Sequence, residues 1–324
     1  MVRQRLNEFI WNSTDLPLDT KPDGIDVGIA DERFDGHPEV ARIDRIIVRL
    51  PYGFVANAYH LTPRHGGDKL AIYHEGHKRS FRGRAKRTIL ALLDGGYSVL
   101  AFDMSMLGLN TWPAWIDIPG LGPVSFSRST HWSLAILESE DFSPFLLFFD
   151  PILRALNHIL TQKDYDDVIM VGFSGGGWVT TLYAALDPRV NKSYPVAGTL
   201  PLAMRGPDRN GRLSEGDYEQ RHNLLYRLAS YPDLYVLGAV GEQRRQVQIL
   251  NEIDTCCFPG ERATHYARLI SQTVDDLGMG GDWNLAVNWG TQRHEMTDQM
   301  LEFILHDAEQ PIEICASKPD KGIF

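Results

Sequence analysis

The feature that most constrains the fold of this chain is a G-x-S-x-G motif placed between a strand pattern and a helix pattern. Residues 168–172 form an apolar run, Ser174 stands among glycines, and a helix pattern opens at Gly176 without a break. The motif alone is weak evidence because it also arises by chance. Its position between a strand and a helix makes the evidence strong, since a sharp strand-to-helix turn requires both neighbours. Such a turn strains the backbone of its central residue, and the adjacent glycines leave room for it. The sequence therefore predicts that Ser174 lies at the amino end of a helix.

Strand and helix patterns alternate along most of the chain. Strands are predicted at 69–74, 97–103, 167–173, 193–198, 246–251 and 285–289. Helices are predicted at 84–93, 150–160, 176–186, 261–277 and 297–306. Two β-rich stretches within 45–63 meet at a Pro/Gly turn and predict an antiparallel start to the sheet. Apolar strands that alternate with helices favour an α/β fold, with a mostly parallel sheet covered by helices on both faces.

Two long stretches interrupt this alternation. The first, at about 105–149, is rich in Trp, Pro and Phe, and the second, at about 201–245, is rich in charge. Loops of this length in a compact domain are usually functional, so we expect these insertions to form a pocket wall or lid. Because no repeat or linker divides the chain, residues 45–324 are expected to form one catalytic domain after an extension at 1–44.

Ser174 is the candidate nucleophile of such a turn. A serine hydroxyl needs a neighbouring imidazole to take its proton, and His294 follows the last predicted strand. The backbone N–H of Gly175 and the helix dipole are placed to stabilise a developing oxyanion. A phosphate-binding loop does not fit, since no Lys-Ser/Thr pair follows the glycines. A purely structural glycine-rich turn is the alternative.

Asp254 is the candidate acid that orients the imidazole. It follows the penultimate predicted strand, and it gives the order Ser, Asp, His along the chain. The carboxylates of Glu242, Glu252 and Asp282 are rivals for this role, and an ordinary turn aspartate is the alternative for Asp254.

A second oxyanion donor is expected from the loop 74–77, with the sequence His-Glu-Gly-His. Glycine lets the backbone turn, so the N–H of His77 or of Gly76 is predicted to face the nucleophile. The loop also resembles a truncated H-E-x-x-H zinc motif, but it is one residue short and lies at a strand end. We therefore expect neither a metal nor a cofactor.

The charge and cysteine content narrow the partners and the compartment. A net charge of −10 argues against nucleic acid and anionic membranes as partners, and no apolar run is long enough to span a bilayer. The first residues lack a secretory signal pattern. With three cysteines, two of them neighbours at Cys256 and Cys257, reduced thiols in the cytoplasm are expected. The sequence is compatible with an oligomer.

Over roughly residues 45–306 the chain resembles the α/β-hydrolase superfamily, loosely its dienelactone-hydrolase-like and carbohydrate-esterase-like members. The residues that carry the resemblance are the run Gly172-Phe173-Ser174-Gly175-Gly176, the run Glu75-Gly76-His77, Asp254 and His294. Where the family often has D-x-R-G-x-G, this chain reads D-M-S-M-L-G from Asp103 to Gly108, and the arginine is absent. The resemblance implies an α/β-hydrolase fold and leaves the subgroup open.

These residues predict a serine hydrolase that cleaves a small-molecule carboxylic ester through an acyl-enzyme. The aromatic stretch 111–115, with Phe126 and Trp132, suits an apolar or sugar-bearing substrate, and packing of the insertion explains it equally well. An acyltransferase, thioesterase, lactonase or peptidase would use the same three residues. A catalytically silent binding module is the alternative from another class. A haloalkane dehalogenase is excluded because it needs an aspartate at the position of Ser174.

Overall fold

The computed structural model describes residues 1–77, 81–126, 130–205 and 216–312. The strands are β1 (Gly24–Asp26), β2 (Val40–Arg49), β3 (Val55–Pro63), β4 (Lys69–His74), β5 (Tyr97–Phe102), β6 (Trp115–Ile118), β7 (Gly122–Ser125), β8 (Asp167–Phe173), β9 (Lys192–Val196), β10 (Arg245–Asn251) and β11 (Asp282–Asn288). The α-helices are α1 (Val2–Trp11), α2 (Arg84–Asp94), α3 (Leu146–Gln162), α4 (Gly175–Leu186), α5 (Tyr218–Arg221), α6 (Asn223–Leu228), α7 (Tyr231–Ala239), α8 (Thr264–Asp276) and α9 (Asp298–Ala308).

The chain divides into two compact units. The first comprises Met1–Asp166 and Asp217–His222, and the second comprises Asp167–Gly216 and Asn223–Phe324. Within the described ranges, no helix is both long enough and apolar enough to cross a bilayer.

The first unit contains strands in the order β1-β2-β3-β5-β4. The predicted hairpin is the antiparallel pair β2 and β3, whereas β4 and β5 are parallel and joined by α2. Helix α2 packs on β5, and helix α3 packs on β2 and β3. All six residues of β5 are buried, as expected for a strand whose two faces are both covered.

The second unit contains β8-β9-β10-β11 in that order, and each neighbouring pair is parallel. Helix α4 packs against β8, β9 and α7, and every one of its residues is buried. Helix α8 packs against β11. The predicted α/β class, a mostly parallel sheet flanked by helices, is thereby confirmed.

The two insertions contain more regular structure than the sequence patterns indicate. The first holds the hairpin of β6 and β7 and a 3-10 helix at His131–Leu137, and the second holds α5, α6 and α7. Helix α7 is so apolar that it lacks a polar face, although a capping box of Ser230 and Asp233 marks its start. Residues 127–129 and 206–215 of the insertions lie outside the described residues. That the insertions form a pocket wall or lid stays a prediction.

Asp103 holds the loop that follows β5. Its Oδ2 accepts a hydrogen bond from the backbone N–H of Leu109 at 3.0 Å, and its backbone oxygen accepts one from Asn110 Nδ2 at 3.1 Å. Gly108 has a φ of +61°, and a Cβ at that position would collide with the Asp103 carboxylate. Burial raises the pKa of Asp103 to about 7. These contacts give Asp103 a structural role.

His60 in β3 makes the stability of the protein sensitive to acid. Its side chain is buried, and burial lowers its pKa from 6.5 to about 4. The unfolded chain binds this proton near the ordinary histidine pKa, whereas the folded chain binds it only near pH 4. The stabilising effect of the neutral His60 ring is therefore present above the pKa that this histidine has in the unfolded chain. It is lost as the pH falls toward 4.

We therefore expect His60→Leu to weaken the loss of stability in acid. The free energy of unfolding of the natural chain should fall between pH 6.5 and pH 4 by up to about 1.4 kcal/mol per pH unit more than that of the variant. Urea unfolding followed by circular dichroism at several pH values measures this difference. His265→Leu, at an exposed histidine of α8, is the control and should behave as the natural chain does. Equal pH dependence in all three proteins would contradict the prediction.

Candidate active site

Ser174 occupies the strained turn that the sequence predicts. It stands between the last residue of β8 and the first residue of α4, with φ 56° and ψ −122°. A positive φ is unfavourable for a residue with a Cβ, so the surrounding structure has to hold it. The Ser174 N–H donates to Val196 O at 2.9 Å, and its carbonyl accepts from Trp178 N at 3.0 Å. These bonds place the hydroxyl at the amino end of α4.

Three glycines allow the strand, the helix and the next loop to approach this closely. A Cβ on Gly172 would collide with the backbone of Gly176 and the side chain of Thr180. A Cβ on Gly177 would lie 2.7 Å from Val196 O, and one on Gly198 would lie 2.5 Å from the Cα of Gly177. Any other residue at these positions would push α4 away from the ends of β8 and β9.

His294 lies in the loop after β11 and joins the other two predicted side chains. Its Nε2 is 2.8 Å from Ser174 Oγ, and its Nδ1 is 2.7 Å from Asp254 Oδ2. Its ring packs against Phe173, with ring centroids 4.8 Å apart, and against Phe258 at 6.1 Å. The structure therefore brings Ser174, His294 and Asp254 into one hydrogen-bonded series within the second unit.

The Asp254 carboxylate determines which ring nitrogen of His294 carries the proton. Its side chain is fully buried, and its Oδ1 accepts from the N–H groups of Cys256 at 2.8 Å and Cys257 at 2.9 Å. An ionised carboxylate only accepts hydrogen bonds, so His294 Nδ1 is the donor to Oδ2. The lone pair of Nε2 is then free to accept the proton of the Ser174 hydroxyl.

Hydrogen bonds also connect the two loops that carry Asp254 and His294. The backbone N–H of Glu252 donates to Asn288 O at 3.1 Å, and that of Ile253 donates to Thr291 O at 3.1 Å. The N–H of Gly290 donates to the Glu252 carboxylate at 2.6 Å. These hydrogen bonds fix the position of the Asp254 loop relative to the His294 loop.

The rival carboxylates have other contacts. Glu242 is exposed in the turn between α7 and β10, and Glu252 receives the Gly290 N–H. Asp282 at the start of β11 lies 3.4 Å from the guanidinium of Arg245. Of the four candidate acids, Asp254 is the one whose carboxylate contacts the His294 ring.

Cys256 and Cys257 are joined by a disulfide bond, so the expectation of reduced thiols is wrong for this pair. Both backbone N–H groups donate to Asp254 Oδ1, which holds the tight turn that brings the two sulfur atoms together. The sequence does not reveal that the Asp254 side chain, two residues before Cys256, accepts these two hydrogen bonds.

The loop after β4 belongs to the first unit and contains the predicted second oxyanion donor. Gly76 is buried and His77 is partly exposed. His74 Nδ1 donates to the backbone oxygen of Glu75 at 2.9 Å, and burial lowers the His74 pKa to about 4. The Glu75 carboxylate accepts from Tyr73 Oη at 2.6 Å. That the N–H of His77 or Gly76 binds an oxyanion stays a prediction.

The His77 imidazole is part of a second polar cluster in the first unit. Burial lowers the pKa of His77, but the hydrogen bonds with Asp217 and Glu219 outweigh this effect and raise the pKa to about 10. Burial raises the pKa of Glu219, but His131 and His77 together lower it to about 2. His131, Asp217 and Glu219 were not predicted from the sequence, because they lie in insertions without a motif.

We expect Gly172→Ala to destabilise the protein and to displace Ser174, because the added methyl group would meet the backbone of α4. The cost should be at least about 2 kcal/mol of unfolding free energy, as for other forced backbone shifts. Gly24→Ala is the control, since a Cβ there would lie 3.7 Å from Ile47, at ordinary contact distance. Thermal unfolding measures both variants. Equal midpoints for the two would show that the close approach does not matter.

Comparison with known proteins gives structural matches only. No protein-family model matches this chain, and no curated protein sequence matches it. Among solved structures, acetyl xylan esterase 1 from Thermoanaerobacterium sp. JW/SL YS485 matches with a TM-score of 0.60 at 15% identity, over 95% of this chain and 93% of that chain. The acetyl xylan esterase from Paenibacillus sp. R4 matches with a TM-score of 0.58 at 16% identity, over 94% and 98%.

The esterase PF2001 of Pyrococcus furiosus also matches, with a TM-score of 0.53 at 13% identity, over 91% of this chain and 98% of that chain. At these identities the likeness shows the fold. It is the fold of these esterases, as the sequence predicted.

Proposed function

We propose that this chain, which has the α/β-hydrolase fold of known esterases, is a serine hydrolase that cleaves a carboxylic ester through an acyl-enzyme. The observation that carries the proposal is the hydrogen-bonded series from Ser174 Oγ to His294 Nε2, at 2.8 Å, and from His294 Nδ1 to Asp254, at 2.7 Å. Ser174 and Asp254 each lie within hydrogen-bond reach of His294, and these two contacts support the proposed roles of nucleophile, base and orienting acid.

The proposed reaction has two matching halves. Ser174 Oγ attacks the ester carbonyl while His294 Nε2 takes the hydroxyl proton, and the Asp254 carboxylate stabilises the resulting imidazolium. The tetrahedral intermediate collapses, the alcohol leaves with the proton from His294, and the acyl group stays on Ser174. Water then attacks the acyl-enzyme as His294 takes its proton, and collapse releases the acid and regenerates the Ser174 hydroxyl.

We assign one oxyanion donor to the backbone N–H of Gly175. It is the first residue of α4, where unpaired N–H groups and the positive end of the helix dipole stabilise an anion. The second donor that we propose, from the sequence, is the backbone N–H of His77 or Gly76.

The proposed substrate is a small ester, and an acetylated sugar is the class that we favour. Two of the matching solved structures are acetyl xylan esterases by name. In the first insertion, Trp115 is 64% exposed and Trp132 is 49% exposed, whereas Phe126 is buried and packs on Phe54. Exposed tryptophan faces suit the apolar faces of sugar rings, so Trp115 and Trp132 are the proposed substrate contacts and Phe126 serves the core. The cytoplasmic location stays a prediction.

A fluorophosphonate probe should form one covalent adduct with the natural chain, because the probe reacts with an activated serine. Ser174→Ala removes the attacked oxygen and His294→Ala removes its base, so both variants should lack the adduct. Their kcat with p-nitrophenyl acetate should fall by about 10⁴-fold or more. Intact-mass spectrometry and absorbance measure the two effects.

Circular dichroism spectra of the variants serve as the control for folding. If the natural chain neither reacts with the probe nor turns over the ester, the proposal fails, and either a closed pocket or a catalytically silent binding module explains the result. If the adduct forms on Ser174→Ala, another residue is the nucleophile.

Asp254→Asn should lower kcat by about 10⁴-fold, because an amide in this place favours the wrong imidazole tautomer. Glu252→Gln is a matched control two residues away, where the carboxylate accepts one N–H from Gly290 and does not contact His294. Its kcat should stay within a few-fold of the natural value. Initial rates with p-nitrophenyl acetate compare the two variants. Equal losses in both would contradict the assignment of Asp254.

A further inference from the structure

We propose that the first unit contains a structural zinc site, formed by His77, His131, Asp217 and Glu219. One ligand atom from each residue lies within 4.8 Å of the ligand atoms of the others. Nothing in the proposed ester hydrolysis uses these imidazole and carboxylate side chains. The proposal is therefore independent of that function.

Four separations between atoms of these side chains are close to the edge of a tetrahedron around zinc. His77 Nε2 lies 3.0 Å from Asp217 Oδ2, 3.5 Å from Glu219 Oε1 and 3.3 Å from His131 Nδ1. His131 Nδ1 lies 3.1 Å from Glu219 Oε2. Bonds of about 2.0–2.1 Å at tetrahedral angles place the ligand atoms about 3.3–3.4 Å apart. The four separations are close to this edge length, and every other separation between the ligand atoms is at most 4.8 Å.

His131 already has the surroundings of a metal ligand. Its side chain is 5% exposed, and its Nε2 donates to the backbone oxygen of Ser105 at 2.8 Å. This bond fixes the ring and directs Nδ1 into the cluster, where it donates to Glu219 Oε2 at 3.1 Å and would exchange that proton for a metal ion. A histidine that binds a metal usually donates its other ring N–H to a carbonyl or carboxylate in this way.

The charges and donor types favour zinc over calcium or magnesium. Once metal binding has released the extra protons of both imidazoles, the four side chains carry a charge of −2, which a divalent cation balances. The Glu219 side chain is 0% exposed. A fully buried carboxylate needs such compensation. Calcium and magnesium prefer oxygen ligands alone, whereas zinc takes mixed nitrogen and oxygen ligands.

Four protein ligands leave no open position, so the ion would be structural. The ligands come from three separate segments of the first unit: the loop after β4, the 3-10 helix His131–Leu137, and the start of α5. An entry path exists, because the His77 side chain is 34% exposed and that of Asp217 is 41% exposed. Zinc would tie the insertion segments to the end of β4.

The test uses the full chain without a histidine tag, treated with a chelator and then given Zn²⁺. Atomic emission after desalting should find one zinc per chain, and competition with a chromophoric chelator gives the affinity. His131→Ala and His77→Gln should each weaken binding by about 100-fold or more, since each removes a ligand. Zinc should raise the thermal midpoint of the natural chain and not that of His131→Ala.

Three controls keep the result specific. His265→Ala removes an exposed histidine of α8 and should bind zinc as tightly as the natural chain. His294→Ala tests binding at Asp254 and His294, the other place where a carboxylate and an imidazole could hold an ion, and it should also retain binding. Circular dichroism checks that each variant is folded, and His77→Gln changes only a partly exposed side chain.

Loss of binding in the two cluster variants alone supports the site. The proposal is overturned if the natural chain retains no zinc, if both cluster variants bind as it does, or if His294→Ala abolishes binding. In the first case the four side chains form an ion-paired cluster without a metal. Fluorophosphonate labelling of Ser174 does not depend on any of these outcomes.

Discussion

The close contact of backbones at the end of β8 is the constraint on which the candidate site depends. Gly172, Gly177 and Gly198 have no Cβ, so α4 can start immediately beside the ends of β8 and β9. This contact holds Ser174 at a positive φ, a conformation that costs about 1–3 kcal/mol and persists because the surrounding structure imposes it. The hydrogen bond to Val196 O offsets part of that cost. The hydroxyl then stands where the helix dipole favours a negative charge.

Parallel pairing of the strands brings Asp254 and His294 to the same edge of the sheet as Ser174. Strands β8, β9, β10 and β11 run in one direction, so the loops after β8, β10 and β11 emerge together. Sites in open α/β sheets form at such carboxyl ends. Asp254 and His294 follow β10 and β11, and backbone bonds between their loops keep the carboxylate and imidazole at 2.7 Å. The turn at Cys256 and Cys257 supplies the two N–H groups that orient the carboxylate.

The histidines of this chain show how surroundings determine the chemistry of one residue type. His60 and His74 are buried without a carboxylate in hydrogen-bond contact, and burial lowers both pKa values to about 4. For His77, the hydrogen bonds to two carboxylates outweigh burial and raise the pKa to about 10. His294 has one buried carboxylate on one side and a hydroxyl on the other, which is the arrangement of a base.

The sequence by itself determined the α/β class, the strand-to-helix turn at Ser174 and the order of the three candidate residues, because periodicity and turn chemistry are local. It left four carboxylates as candidates for the acid, and only the pairing of β10 with β11 brought Asp254 to His294. It missed α7, whose uniform apolarity conceals the helical period, and the hairpin of β6 and β7. In the cluster around His77, the ring of His131 contacts His77, which is 54 positions away in the sequence, and Glu219, which is 88 positions away. No rule based on sequence spacing predicts such contacts. Contacts between distant segments follow from how strands and helices pack, so only the tertiary structure decided them.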